Sequence, residues 1–232
     1  CNSVRSRLDP VLGWLAEYAP DVLCLQETKV QDAEFPADAF RLAGWHVAFQ
    51  GEKSYNGVAI VSKQPADEVS FGLDSEPADP ARLAHARFGK LHVVNTYVPQ
   101  GREIDHAMYA YKLAWLARLK KYFEKHFTPA APLLWCGDLN VARHPIDVTN
   151  PETKKDHVCY HQAVRDAFED VLAFGFTDLF RKHNPELVDY SFYDYRAPFN
   201  PDQKRGWRID YVLATPSLAQ KSVAAAIDIV PR

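Results

Sequence analysis

Apolar and polar positions change period several times along the 232 residues, and the changes predict an irregular alternation of helices and strands. Leu8, Val11, Leu12 and Leu15 recur at helical spacing, so a helix is predicted over residues 5–18, closed by Pro20. Residues 22–25 form an unbroken apolar run, predicted as a fully buried strand that ends on Gln26-Glu27. Residues 45–49 and 57–61 read as two strands joined through Ser54-Tyr55-Asn56-Gly57, where Asn-Gly supplies the turn. Residues 81–88 and 91–98 read as a hairpin turning at Gly89-Lys90 and ended by Pro99-Gln100-Gly101. The longest predicted helix covers 105–127, and a short buried strand at 133–136 runs into Gly137-Asp138-Leu139-Asn140. A polar loop at 143–157 precedes a helix at 161–174. Strands at 191–195 and 208–214 flank a loop rich in Pro and Lys at 197–206. The mixture predicts an α/β (α+β) fold.

Composition narrows the picture. With 47% hydrophobic residues the chain can bury one large core, and nothing in it reads as a linker, so a single domain over 1–232 is predicted. No apolar run approaches the roughly 20 residues of a membrane helix, which predicts a soluble protein without a membrane partner. Four cysteines form no CxxC pair, and Cys24 and Cys136 sit in apolar runs as buried thiols, which fits a reducing, cytoplasmic compartment. A net charge of −3 lacks the basic signature of a nucleic-acid binder, so any such binding must come from a local patch.

The candidate chemistry sits where apolar runs stop. Glu27, Asp138, Asn140 and Asp210 each end or interrupt one, and strand ends in α/β sheets converge on a crevice. Oxygen ligands without paired Cys or His point to a hard cation, Mg²⁺ or Mn²⁺. Such an ion would neutralise a phosphodiester while Asp138 orients or deprotonates an in-line water and Asn140 donates its amide to the developing phosphorane. Tyr97 closes a strand and either points into the same crevice or completes the core. Phe192, Tyr195 and Trp207 form core or a base-stacking surface. Arg5, Arg7, Lys53, Arg82, Arg102, Lys154, Lys155, Arg196, Lys204, Arg205 and Arg208 border these strand ends, either as solvated surface or as a face that holds DNA phosphates.

Taken together, Pro20-Asp21-Val22-Leu23-Cys24-Leu25-Gln26-Glu27-Thr28-Lys29, Tyr55-Asn56-Gly57-Val58-Ala59-Ile60, Asn95-Thr96-Tyr97-Val98-Pro99, Gly137-Asp138-Leu139-Asn140-Val141-Ala142 and Trp207-Arg208-Ile209-Asp210-Tyr211 resemble the exonuclease III group of the endonuclease/exonuclease/phosphatase superfamily over nearly the whole chain. The resemblance implies a DNase I-like four-layer sandwich of two packed β-sheets flanked by helices. It implies a Mg²⁺-dependent hydrolase, with Mn²⁺ able to substitute, that trims DNA 3′ to 5′ and incises abasic sites to leave a 3′-hydroxyl. The implied partner is DNA with abasic sites, nicks or 3′ ends, met by a monomer. Glu27 is the implied principal metal ligand, with Asn2, Asp138 and Asn140 beside it. Tyr97 contacts the scissile phosphate, Asp138 serves the water, Asn140 supports the transition state and Asp210 orients a catalytic histidine. Phe192 and Trp207 wall the pocket for the abasic sugar, Arg196 meets DNA there, and Arg5, Tyr55, Asn56, Gln100, Arg102 and Lys154 complete the implied DNA contacts.

In this group a strand ending in an aromatic-Asn pair precedes the position of Cys1, and a Ser-Asp-His-x-Pro segment follows the position of Arg232. Both are expected to lie outside residues 1–232. His157-Val158-Cys159-Tyr160-His161 borders the pocket for the missing base, and bulk there favours 3′ trimming over abasic incision. The alternatives are an exonuclease-dominant member with weak abasic activity, a phosphodiesterase of the same superfamily acting on small phosphates or lipids, and a catalytically dead DNA-end binder.

Overall fold

Strands β1 (Val22–Gln26), β2 (His46–Gln50) and β3 (Val58–Ser62) form an antiparallel sheet in the order β1-β3-β2. The two neighbouring strands β1 and β3 are apolar on both sides because both of their sides are covered. Val22 and Cys24 of β1 and Val58 and Ile60 of β3 face inward against a second sheet, in which β4 (Glu68–Phe71), β5 (Leu83–Phe88), β6 (Leu91–Tyr97) and β7 (Leu133–Asp138) follow one another. Ala84, Ala86, Val93, Tyr97, Leu134 and Cys136 supply its half of the interface. The outward residues Leu23, Leu25, Ala59 and Val61 pack under helices α1 (Leu8–Tyr18) and α2 (Ala37–Leu42), with Leu15 and Phe40 fully buried between. Two packed sheets with helices on an outer face are thus present, as expected for the α/β class.

The structure, a computed structural model, describes residues 1–193 and 205–228. The chain divides into two compact units, Cys1–Tyr97 with Ala131–Gly137, just described, and Val98–Ala130 with Asp138–Arg232. In the second unit α3 (Ala107–His126) packs on α4 (Gln162–Leu172). Strand β8 (Thr177–Asp178) leads into α5 (Leu179–His183), β9 (Phe192–Tyr193) pairs with β10 (Gly206–Trp207), and β11 (Asp210–Ala214) pairs with β8 and leads into α6 (Pro216–Ala219). Among the described residues no helix is long and apolar enough to cross a membrane.

Most predicted elements stand with ends shifted by one to three residues. The departures have physical causes. β4 reads Glu-Val-Ser-Phe and is largely exposed, so it carries no apolar alternation to find. The strand expected at 208–214 begins only at Asp210, and Gly206, expected to end a loop, forms a strand with Trp207. The reason is Arg208. Instead of bordering DNA among the basic residues, its side chain is fully buried, donating to Asp147 at 2.8 and 3.1 Å and to Asp178 at 2.8 Å. Arg181 Nε adds a hydrogen bond to Asp147 at 3.2 Å. The polar loop at 143–157 is therefore anchored from inside by Asp147, which is completely buried.

Burial alone would raise the Asp147 carboxyl, but the hydrogen bonds and charge of Arg208, then Arg181, outweigh it and hold the group below the usual aspartate range. A depressed carboxylate stabilises the fold above its unfolded value near 3.9 and loses that contribution as pH falls through the lower folded value. Replacing Asp147 by Asn leaves the buried Arg208 with Asp178 as its one carboxylate partner among the described residues, takes an anion from the half-buried Arg181, and is expected to cost about 3–5 kcal/mol. For a chain of this size that lowers the thermal midpoint by roughly 6–20 °C, measured by calorimetry at pH 7. The gap to wild type should narrow as the pH is lowered below about 4.

Candidate active site

The residues predicted to do chemistry are held by turns that leave the strands, and each unit carries its own set. In the first unit β1 stops at Gln26 and the chain turns with Glu27 at φ 54° and Lys29 at φ 52°. This left-handed region is one that L side chains enter at a cost of roughly 1–2 kcal/mol. The turn is paid for by main-chain bonds on both sides. Glu27 and Thr28 carbonyls accept from Ser3 and Val4 at 2.8 and 3.0 Å, and the N–H groups of Thr28 and Lys29 donate to Gly57 and Asn56 at 3.3 and 2.9 Å. With threonine at 28, position 57 must be glycine, since a Cβ there would lie 1.9 Å from Thr28 Oγ1 and its φ is +96°. Asn95, fully buried on β6, donates to the carbonyls of Leu25 and Ala59 at 2.9 and 3.0 Å and accepts from Gln26 at 2.6 Å, fixing the end of β1 across the sandwich.

On this frame Tyr97 Oη donates to Glu27 Oε1 at 2.5 Å. Arg82 lies 5.1 Å from the Tyr97 ring centre and donates to the Tyr97 carbonyl at 3.2 Å. Lys29 Nζ donates to Asn2 Oδ1 at 2.5 Å and stands 3.7 Å from Glu27 Oε2. Asn2, Glu27 and Tyr97 are thus brought together. The Lys29 ammonium marks a spot where a carboxylate and an amide oxygen both face a positive charge, which is the donor set of a hard divalent cation. Among the described residues no group of three or more His, Cys, Asp and Glu could hold a metal. One carboxylate with neutral oxygens is a set of donors that could hold a hard divalent cation only with further ligands from outside the protein.

In the second unit Asp138 Oδ1 accepts the Asn140 N–H at 3.1 Å, while Asn140, at φ 52°, donates its Nδ2 to the Val98 carbonyl at 3.0 Å. The Asn140 Oδ1 faces the Cys159 thiol at 3.9 Å. Leu139 N–H donates to the Ile209 carbonyl at 2.8 Å, so Asp210, exposed at the head of β11, lies on the segment joined to the Asp138 turn. Ser191 Oγ accepts from the N–H groups of Ile209 and Asp210, both at 3.1 Å. Asp138, Asn140 and Asp210 therefore share one neighbourhood.

The residues expected to meet DNA divide. Trp207 and Phe192 are paired across β9 and β10, with Phe192 exposed and Trp207 half-buried. Trp207 packs on His157 with ring centres 4.3 Å apart, and Lys154 Nζ lies 5.8 Å from the Trp207 ring centre. Burial first, then the charges of Lys154 and Lys112, pull the His157 imidazole down to about 4, so it is neutral at physiological pH. Tyr55 is 71% exposed, whereas Asn56, at φ 48°, is committed to the Glu27 turn through its carbonyl and to Glu52 through its side chain. Arg5 is paired with Glu34 at 2.8 Å. Gln100 Oε1 accepts the Arg102 N–H at 2.7 Å in an exposed turn with Arg102 at φ 62°. Arg196 lies outside the described residues.

Sequence reasoning assigned no role to Asn95, Lys29 or Lys112. Lys112 is fully buried on α3 and donates to the carbonyls of Gln100, Asn140 and Val158 at 3.1, 2.6 and 2.8 Å. Its signal was present: Tyr109, Lys112, Trp115, Leu116 and Leu119 form one inward stripe at helical spacing, and a lysine on such a stripe needs buried partners.

An AP endonuclease from Archaeoglobus fulgidus has a solved structure that matches this one with a TM-score of 0.97 at 49% identity, covering 99% of this chain and 90% of that one. A 3′-5′ exonuclease from Neisseria meningitidis matches with a TM-score of 0.90 at 36% identity, covering 94% and 86%. An exodeoxyribonuclease of Bacillus subtilis (strain 168) is 35% identical over 97% of this chain and 88% of its own length. Residues 1–231 fit the family model described as the Endonuclease/Exonuclease/phosphatase family, and the chain belongs to that family.

Proposed function

We propose that this protein is a DNA repair nuclease that hydrolyses phosphodiesters with a divalent metal, Mg²⁺ by preference, at 3′ ends and abasic sites, and that residues 1–232 act as one domain. The observation that carries the reading is the 2.5 Å Tyr97–Glu27 hydrogen bond beside Asn2, held on a left-handed turn whose backbone favours Gly or Asn over Glu. Backbone strain kept at a polar residue is characteristic of functional sites. The names of relatives on both sides, AP endonuclease and exonuclease, support the substrate class.

In this reading Glu27 and Asn2 hold the metal, which when bound neutralises phosphate charge and stabilises the leaving oxygen. Tyr97 Oη orients the scissile phosphate. Asp138 aligns the attacking water and takes its proton, Asn140 steadies the transition state, and Asp210 is the carboxylate partner of a proton-transferring imidazole. Asn140 already spends one N–H on Val98, which leaves one N–H for the phosphate oxygen. Arg82, stacked on Tyr97, joins the DNA-facing residues.

A duplex carrying one abasic site, incubated with protein and Mg²⁺, should be nicked, and a chelator should stop the reaction. Absence of any metal-dependent nicking or trimming sinks the proposal, and cleavage of phosphoinositides or sphingomyelin alone would favour the small-phosphate reading. Asp138→Asn should lower turnover by at least ~10²-fold. Glu27→Asn should abolish metal-dependent turnover yet leave the thermal midpoint unchanged or slightly higher, because Asn tolerates the left-handed backbone better than Glu. A clear fall in the midpoint would mean that Glu27 is there for stability.

A second reading, trimming dominant over abasic incision, is favoured by His157, whose neutral ring covers Trp207. Removing that ring with His157→Gly should raise incision at the abasic site relative to 3′ trimming of the same duplex, by about tenfold if one steric contact is involved. An unchanged ratio would rule His157 out as the determinant.

A further inference from the structure

Lys112 occupies a place that an apolar residue would fill at lower cost. It is wholly buried, one helical turn from Tyr109 on one side and from Trp115 and Leu116 on the other. Its ammonium has three N–H bonds, and three carbonyl oxygens take them, those of Gln100, Asn140 and Val158. A buried charge whose hydrogen bonds all go to main-chain carbonyls, with only longer-range help from Cys159 and Asp138, still bears a desolvation penalty of several kcal/mol. What the lysine gains in return is a common anchor for three segments that are far apart in sequence.

Those segments are the ones the site depends on. Gln100 opens the turn that leaves β6, with Arg102 at φ 62°. Asn140, at φ 52°, belongs to the turn that leaves β7, and its other groups bind Asp138 and Val98. Val158 stands between His157 and Cys159, which itself faces Asn140. The shortest of the three bonds, 2.6 Å, goes to Asn140. With its N–H on Asp138, its Nδ2 on Val98 and its carbonyl on Lys112, Asn140 has no freedom to rotate as a unit. Misplacement of a reacting group by 1 Å can cost ~10² in rate.

We propose that Lys112 is a positioning residue: a buried ammonium that, through three main-chain carbonyls, fixes Asn140, and through it the Asp138 carboxylate, in the pose needed for phosphodiester hydrolysis. The catalytic half of the proposal rests on the nuclease reading, while the joint anchoring of the three segments does not.

Two variants test it, Lys112→Met, which keeps length and removes every donor, and Lys112→Gln, which keeps two donors. Amide hydrogen exchange needs no activity: protection should fall together in residues 98–102, 138–142 and 157–161, more in Met than in Gln. Single-turnover kinetics on the abasic duplex with Mg²⁺ should show a rate at saturating DNA lowered ~10- to 100-fold, with half-saturation within about 2-fold of wild type. The loss should shrink severalfold when Asp138 is already Ala, because the carboxylate that the lysine places through the main chain of residue 140 is then gone. Unchanged exchange in any one of the three segments overturns the anchor. A rate loss of equal size in the Asp138→Ala background overturns the positioning role and leaves a structural lysine. If the Met variant does not fold, the Gln variant carries both measurements. Lack of activity in wild type counts against the nuclease reading, and exchange alone then decides the anchor.

Discussion

A buried strand can present a reactive carboxylate only if the backbone beyond it stays hydrogen-bonded while it departs from the ladder. The turn at Glu27 meets this demand with bonds on both edges, two accepted from the segment at Ser3 and Val4 and two donated to the Asn56-Gly57 turn. Everything else in the first unit serves that arrangement. The sandwich fixes β1 by covering both of its faces, and Asn95 ties its last residues to β6 from inside, where an unsatisfied amide would be costly. Tyr97 then needs only to end β6 for its hydroxyl to reach Glu27.

The second unit solves the same problem with charge. Its long loops bury Val141, Val148, Val158 and Tyr160, and charged groups hold their main chain in addition: Arg208 and Arg181 hold Asp147 of one loop, and Lys112 holds the carbonyls of three. Such ions are weak sources of net stability and strong sources of specificity, since each has few geometries that satisfy it. Tyr211 illustrates the discipline. Its hydroxyl, pushed by burial above the usual phenol range, gives its proton to the Val141 carbonyl at 2.7 Å and accepts from Arg143 at 3.2 Å.

Strands and long helices were legible because their burial leaves a periodic trace: both-face burial makes β1 and β3 read as solid apolar runs, and α3 and α4 as stripes. Glu27, Asp138 and Asn140 were legible as interruptions of such runs. Exposed β4 leaves no trace, and β8, two residues long, is too short for one. Arg208 misled for a different reason. A guanidinium among basic loop residues reads as surface, and only the burial of two aspartates, contributed from distant segments, turns it inward. Asn56 likewise reads as a DNA contact, but its carbonyl serves the Glu27 turn, a role that main-chain atoms play without leaving any mark on side-chain pattern.

The two glycines at the site differ in how they constrain the evolution of the chain. At position 137 a Cβ would lie 1.9 Å from the Thr96 carbonyl oxygen, an atom every residue possesses, so no substitution elsewhere can make room. At position 57 the obstacle is the Thr28 hydroxyl, a side-chain atom that is itself buried without a hydrogen-bond partner. Replacing residue 28 by Ala removes the hydroxyl but keeps the Cβ, which would lie 3.1 Å from the added atom, so the neighbouring backbone must also give by a few tenths of an ångström. Position 137 is closed on every mutational path, whereas position 57 can relax, but only in lineages in which residue 28 has changed first and the turn has yielded with it.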